Sequence, residues 1–154
     1  MTKVISFEID HTKIEAMSFR VIKKLENLTK FEIRLIKPNT ECIKPKVMHT
    51  LEHVLATYMR DIVPEIFDIS PFGCLTGFGI ITYSRKEIDI EVIKYAFEYA
   101  IHKALELDEI PGATEKQCGS YKLHSLEQTK MFITNKLINT WYILYIVNYF
   151  KFVI

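Results

Sequence analysis

Apolar and polar residues alternate through Phe31-Glu32-Ile33-Arg34-Leu35-Ile36. A period of two predicts a half-buried strand there, closed by a turn at Pro38-Asn39. From Pro45 the period lengthens. Val47, Met48, Leu51, Val54, Leu55 and Tyr58 fall on one stripe at about 3.6 residues per turn, which predicts a helix from Pro45 to about Asp61. A second strand is predicted from Thr76 to Tyr83, entered through the Pro71-Phe72-Gly73 bend. Ser84-Arg85-Lys86-Glu87 has the form of a capping box. Ile90, Ile93, Phe97, Ile101 and Ala104 then repeat at helical spacing until Pro111-Gly112 breaks the pattern. Glu115 to Tyr121 reads as a polar loop. Trp141-Tyr142-Ile143-Leu144-Tyr145-Ile146-Val147 is an apolar run that closes with Asn148 and Lys151. It is shorter than the ~20 residues a membrane span needs, so it reads as a buried terminal element or a subunit contact, with a membrane-surface contact as the lesser alternative.

The 154 residues suit one domain, 1–154, with an atypical apolar tail from about 129. Composition adds exclusions. The chain is 49% apolar and 25% charged with a net charge of +1. That balance, with no basic stripe, argues against a nucleic-acid partner, whose phosphates demand clustered Lys and Arg. The first ten residues carry no apolar signal segment. The odd count of three cysteines (Cys42, Cys74, Cys118) fits free or metal-bound thiols in a reducing cytoplasm better than disulfides.

The chemistry concentrates in His49-Thr50-Leu51-Glu52-His53. Residues four apart stack on one helix face, so both imidazoles can reach one divalent ion. Glu52 borders the same site as a carboxylate base that need not be a ligand. The face carrying His49, Glu52, His53, Ala56 and Arg60 lies opposite the apolar stripe, so something other than the core must cover it. The Cys118 loop and a second subunit are the candidates. Two imidazoles and one thiolate leave a coordination position open, the arrangement of a catalytic site.

Two enzyme classes share this motif. His-x-x-Glu-His is the inverzincin peptidase signature, with Glu127 available as a distant third ligand, although 154 residues leave little room for a substrate chamber. The second class uses more of the chain. Five segments occur in order: Ser6 to Lys13, Arg34 to Asn39, His49 to His53, Asp68 to Phe78, and Glu115 to His124. Together they resemble the LuxS family of S-ribosylhomocysteine lyases. The resemblance implies an α+β fold with a small antiparallel sheet and helices packed on one side. It implies cleavage of the thioether of S-ribosyl-L-homocysteine to L-homocysteine and 4,5-dihydroxypentane-2,3-dione, the autoinducer-2 precursor. It also implies one Fe(II) per subunit, replaceable by zinc or cobalt, held by His49, His53 and Cys118. Cys74 and Glu52 match the family's acid/base residues, and Ser6, His11, Arg34, Arg60 and Asp68 match substrate-binding positions. A homodimer with sites at the subunit interface is implied as well. A third class, a metal-binding module without turnover, stays open.

The sequence departs from the family pattern at three positions near Cys74: Phe72 stands for a Met, Leu75 for a Gln and Gly79 for an aromatic, changes expected to loosen the pocket wall. Cys42 reads as an ordinary thiol, His102 as solvent-facing, and His124 as a local hydrogen-bonding residue.

Overall fold

The computed structural model of the chain describes residue 4 and residues 7–139. Ser6 and the apolar run from Trp141 lie outside the described residues.

Four strands form one antiparallel sheet in the order β1 (Ser18–Leu25), β2 (Leu28–Arg34), β4 (Gly77–Tyr83), β3 (Ile66–Pro71). The predicted second strand appears as β4. The first is displaced: β2 starts at Leu28, and Leu35 and Ile36 leave the ladder, their N–H groups both directed at the Thr76 carbonyl. Leu28, Thr29 and Lys30 pair with Tyr83, Thr82 and Ile81 without an apolar pattern. Backbone pairing needs no apolar side chain, so periodicity did not reveal this half of the strand. β3, with only Ile66 and Ile69 buried, was missed for the same reason.

Alternation sorts the sheet into two chemically different faces. Phe31, Ile33, Phe78 and Ile80 point to one side and are fully buried. There they meet α1 (Pro45–Ile62) and α2 (Ile90–Glu106), joined by Phe19, whose ring packs edge-on against Phe97 at 5.5 Å. Lys30, Glu32 and Arg34 point to the other side, opposite Ile81, Gly79 and Gly77. The helices thus cover one face, as expected, and the charged face is left to the N-terminal segment and the β3–β4 turn. A side chain at Gly77 would collide with the Ile33 carbonyl, so glycine there permits the close approach of β2 and β4 beside Arg34.

The helix from Pro45 matches its expected bounds. It buries Val47, Met48, Leu51, Val54 and Leu55 as the stripe required, with Thr50 and Met59 in addition. The capping box at Ser84 does not form. Its hydroxyl accepts from the Lys86 N–H (3.1 Å) and closes a turn, while α2 begins at Ile90 with Asp89 accepting from the Glu91 N–H (2.9 Å). α2 ends at Glu106, before Pro111-Gly112. A third helix, α3 (Leu126–Phe132), starts at Ser125 and continues as a π-helical segment, Ile133–Ile138. Ile133 and Leu137 are fully buried in the core. The part of the expected tail from residue 129 to 139 is therefore core-forming helix.

Candidate metal centre and thiol site

The exposed face of α1 is covered by the loop after α2. Gly112, at φ +68°, places the backbone against His53: a Cβ there would stand 3.4 Å from its Nδ1. The Pro111 carbonyl lies 2.8 Å from His53 Nδ1, and the Leu123 carbonyl 2.9 Å from His49 Nδ1. A carbonyl only accepts, so both rings carry their proton on Nδ1 and turn the Nε2 lone pair inward. The two ring centroids are 5.0 Å apart with planes at 82°. Two imidazoles bound through Nε2 to one tetrahedral ion would have centroids about 5.2 Å apart, given metal–nitrogen bonds near 2.0–2.1 Å. Cys118 Sγ is 3.4 Å from His49 Nε2, against about 3.6 Å for a thiolate and an imidazole on the same ion. These residues fit a divalent metal of the borderline class that accepts N and S donors.

His124 joins them. The ligand atoms of His49, His53, Cys118 and His124 all lie within 4.8 Å of one another. The sequence reading made His124 a local hydrogen-bonding residue. Its bond is instead to Thr50 on α1, with Nδ1 3.3 Å from Oγ1. The signal available in the sequence was a histidine six residues after Cys118, too loose a spacing to separate from chance. Burial, then the neighbouring His49 and His53, push the His124 pKa down to about 4, so the ring is neutral near pH 7. Glu127, the ligand offered for the peptidase reading, is exposed on α3 and outside this cluster. Glu52 lines a cleft with His53, Ile69, Pro111, Gly112 and Gln117, and its carboxylate makes no hydrogen bond among the described residues.

A second constellation sits on the other side of the sheet. The turn from Phe72 to Leu75 is closed by the Leu75 N–H on the Phe72 carbonyl (2.9 Å), with Leu75 itself left-handed at φ 57°. This turn presents the exposed Cys74. Arg34 Nη1 donates to Cys74 Sγ (3.3 Å) and to Thr76 Oγ1 (2.6 Å), and the Thr76 hydroxyl is 3.0 Å from the same sulfur. Burial pushes the Cys74 thiol up, but the hydrogen bonds of Thr76 and Arg34 outweigh it and hold the pKa below its ordinary 9.0. Thr76 is a residue that sequence reasoning missed; its place two residues after Cys74 gave no chemical signal.

Arg34 is the hub. It is 4% exposed, and its five N–H groups all have partners in this chain: two on Glu32, one each on Thr76, Cys74 and His11 Nε2. The Phe72 ring lies on its guanidinium, 4.4 Å from centroid to Cζ. Arg34, expected to bind substrate, sits directly beside Cys74 with its N–H groups engaged within the chain. His11 donates from Nδ1 to the Ile9 carbonyl (2.9 Å) and accepts from Arg34, so both its nitrogens are engaged too. Asp68 accepts from the Ser70 hydroxyl and borders a small cleft with Lys30, Phe72 and Gly79. Arg60 is held by the carbonyls of Ala56, Ile66 and Phe67, and no described contact joins it to the histidine cluster. The expected loosening around Cys74 is offset: a Cβ at Gly79 would meet Phe72 Cε1 at 3.4 Å, so the larger ring fills what the missing side chain vacates. Cys42 is exposed and free, and His102 faces solvent.

The control of Cys74 has a measurable consequence. Thiolate is the reactive form, so alkylation of Cys74 should rise with pH through a midpoint below 9.0. Arg34→Gln removes a donor and a positive charge from the sulfur and should move that midpoint upward by about one unit. The pH profile of iodoacetamide labelling, read at Cys74 by peptide mass spectrometry, checks both.

The model of the S-ribosylhomocysteinase (LuxS) family matches residues 4–143. An S-ribosylhomocysteine lyase of Clostridium perfringens is 47% identical, with 84% of this chain and 88% of the relative covered. One from Clostridioides difficile is 40% identical over 89% and 93%, and one from Lactobacillus gasseri 39% over 84% and 86%. Among the described residues, no helix is long and apolar enough to cross a membrane.

Proposed function

The chain belongs to the S-ribosylhomocysteinase (LuxS) family, and we propose from this that it is an S-ribosylhomocysteine lyase releasing L-homocysteine and 4,5-dihydroxypentane-2,3-dione. The observation that carries the reading is the pairing of a His49–His53–Cys118 donor set with a Cys74 thiol held below its ordinary pKa. The ion is Fe(II), with zinc or cobalt as substitutes, and the enzyme works in the cytoplasm. Whether or not the dione serves as autoinducer-2 precursor for signalling, the same step returns homocysteine for reuse.

The chemistry accounts for the residue types. The carbon bearing sulfur in the substrate is not activated, so elimination requires a carbonyl beside it. The sugar carbonyl must therefore migrate along the chain by repeated loss and return of protons adjacent to it. A divalent ion held by His49, His53 and Cys118 would supply a Lewis acid for the oxygen on which charge develops. Proton movement falls to this chain's own groups. Cys74, kept reactive by Arg34 and Thr76, removes and returns a proton on one side of the substrate. Glu52, beside His53 and without a hydrogen bond among the described residues, serves the other side. The last step breaks the C–S bond: a proton leaves the carbon next to the carbonyl, the electron pair forms the C=C bond, and the thiolate departs to be protonated as homocysteine. Ser6, His11, Asp68 and Arg60 are proposed to line the path of substrate, with Arg34 acting through Cys74.

Within one chain the sheet lies between the two constellations. Glu52 and the histidines are on the helix side; Cys74, Arg34 and His11 are on the opposite face. Substrate must touch both sets, which supports a homodimer whose site combines the metal centre of one protomer with the thiol of its partner. The cleft bordered by Phe7, His11, Arg34, Phe72 and Cys74 has a volume of about 680 Å³, a size suited to a small molecule.

The test measures thiol release from S-ribosylhomocysteine together with metal content, on the wild type and Cys118→Ala. The lyase reading expects thiol release by the wild type, with both metal and activity lost in Cys118→Ala. Peptide cleavage that survives Cys118→Ala would support a peptidase, and bound metal without thiol release a non-catalytic module.

A further inference from the structure

We propose that His124 is a further active-site residue, not a permanent metal ligand, whose Nε2 accepts a hydrogen bond from a sugar hydroxyl of the substrate at the mouth of the His49–His53–Cys118 triad. The inference rests on the lyase reading and deepens it.

Proximity alone would make His124 a fourth ligand, since its nitrogen lies with the other donors. The ring directions argue otherwise. An imidazole lone pair lies in the ring plane, so two rings sharing an ion must aim at a common point. His49 and His53 do so, with planes at 82° and centroids at 5.0 Å. His124 is stacked on His49, with centroids 3.9 Å apart and planes only 24° from parallel. Their lone pairs lie in two nearly parallel planes, and the centroid distance is well short of the ~5.2 Å that tetrahedral sharing requires. Against His53 the His124 ring stands at 4.7 Å and 74°, so it is the stacking on His49 that holds His124 over the triad and off a vertex shared by all three rings.

Thr50 fixes which nitrogen faces the site. Its hydroxyl has one proton, which it donates to the Lys46 carbonyl at 2.8 Å. Its oxygen then accepts from the Ser125 N–H at 3.1 Å and from His124 Nδ1 at 3.3 Å. With the hydroxyl proton directed at Lys46, only Nδ1 can supply the proton in that last bond, and Nε2 is left as an acceptor. Nε2 stands 3.6 Å from Cys118 Sγ. A free Cys118 thiol donates in that contact; as a thiolate ligand it carries no proton, and two acceptors then face each other across the entrance to the triad. What satisfies both is a donor between them. The substrate is a polyol, and its hydroxyls are the donors this reaction brings.

This gives His124 a role in binding that can be separated from metal retention. The test uses the Co(II)-substituted full chain as wild type, His124→Ala, His124→Gln and His49→Ala. His124→Ala is expected to keep one cobalt per chain with an unchanged resting ligand-field spectrum, while kcat/KM for thiol release falls about 10–100-fold. His124→Gln, whose amide oxygen is again an acceptor, is expected to recover part of the loss, and Thr50→Val to reproduce part of it. Cobalt loss or an altered resting spectrum in His124→Ala, as in His49→Ala, would overturn the proposal in favour of a fourth ligand. Unchanged kcat/KM would overturn it as well. A wild type that binds cobalt but releases no thiol refutes the lyase reading itself, and the cobalt spectra then decide separately whether His124 is a ligand.

Discussion

Cys74→Ala is expected to lower thiol release from S-ribosylhomocysteine by about 10²–10⁴-fold, the range for removing a positioned acid/base group, with metal content unchanged. The two halves of this expectation have separate physical origins. Loss of turnover follows from the sulfur's environment: Arg34 and Thr76 both direct protons at it, and no described side chain stands ready to replace it. Retention of metal follows from topology, since Cys74 lies across the sheet from the histidine cluster of its own chain and makes no contact with it. The turn that carries Cys74 is built from backbone bonds of Phe72, Leu75 and Ile43, so truncating the side chain leaves the fold in place. Parallel measurements of thiol release and metal content check the outcome. Full activity in the variant would remove Cys74 from the mechanism.

A mixture of two inactive variants is expected to regain activity. If each site joins the metal centre of one protomer to the thiol of its partner, Cys74→Ala and His53→Ala damage different halves of it. Co-refolding equal amounts should give mixed dimers in about half of the population. Each has one intact and one doubly damaged site, so recovery should approach about a quarter of wild-type activity. Sites built within one chain would give no recovery, because every site would carry one lesion. Since each variant alone is essentially inactive, the expected gain is large against its background, and thiol release from the mixture measures it.

These expectations draw unequally on sequence and structure. The α1 helix was legible because burial forces a periodic stripe, and the stripe in turn assigned His49, Glu52 and His53 to the uncovered face. β2 was only half legible and β3 not at all, because edge and ladder positions are held by backbone bonds that leave no mark in apolar spacing. The capping box at Ser84 failed on the same ground: the hydroxyl serves a turn, and Asp89, five residues on, caps the helix. Five ordered motifs identified the family, and the named positions in them include Cys74 and Cys118.

What the sequence determined by itself was the set of chemical groups, their order along the chain and the helical phase that puts two imidazoles four residues apart on one face. These are properties of local repeat and composition. Tertiary structure alone decided the rest. It stacked His124 on His49 across a separation of 75 residues and fixed its tautomer through Thr50. It surrounded Arg34 so completely that all five of its N–H groups find partners within the chain, Cys74 and Thr76 among them. It also put the thiol and the histidine cluster on opposite sides of one sheet. Such relations depend on strand pairing and loop closure between distant segments. Hydrogen-bond directions and ring planes exist only once those segments meet.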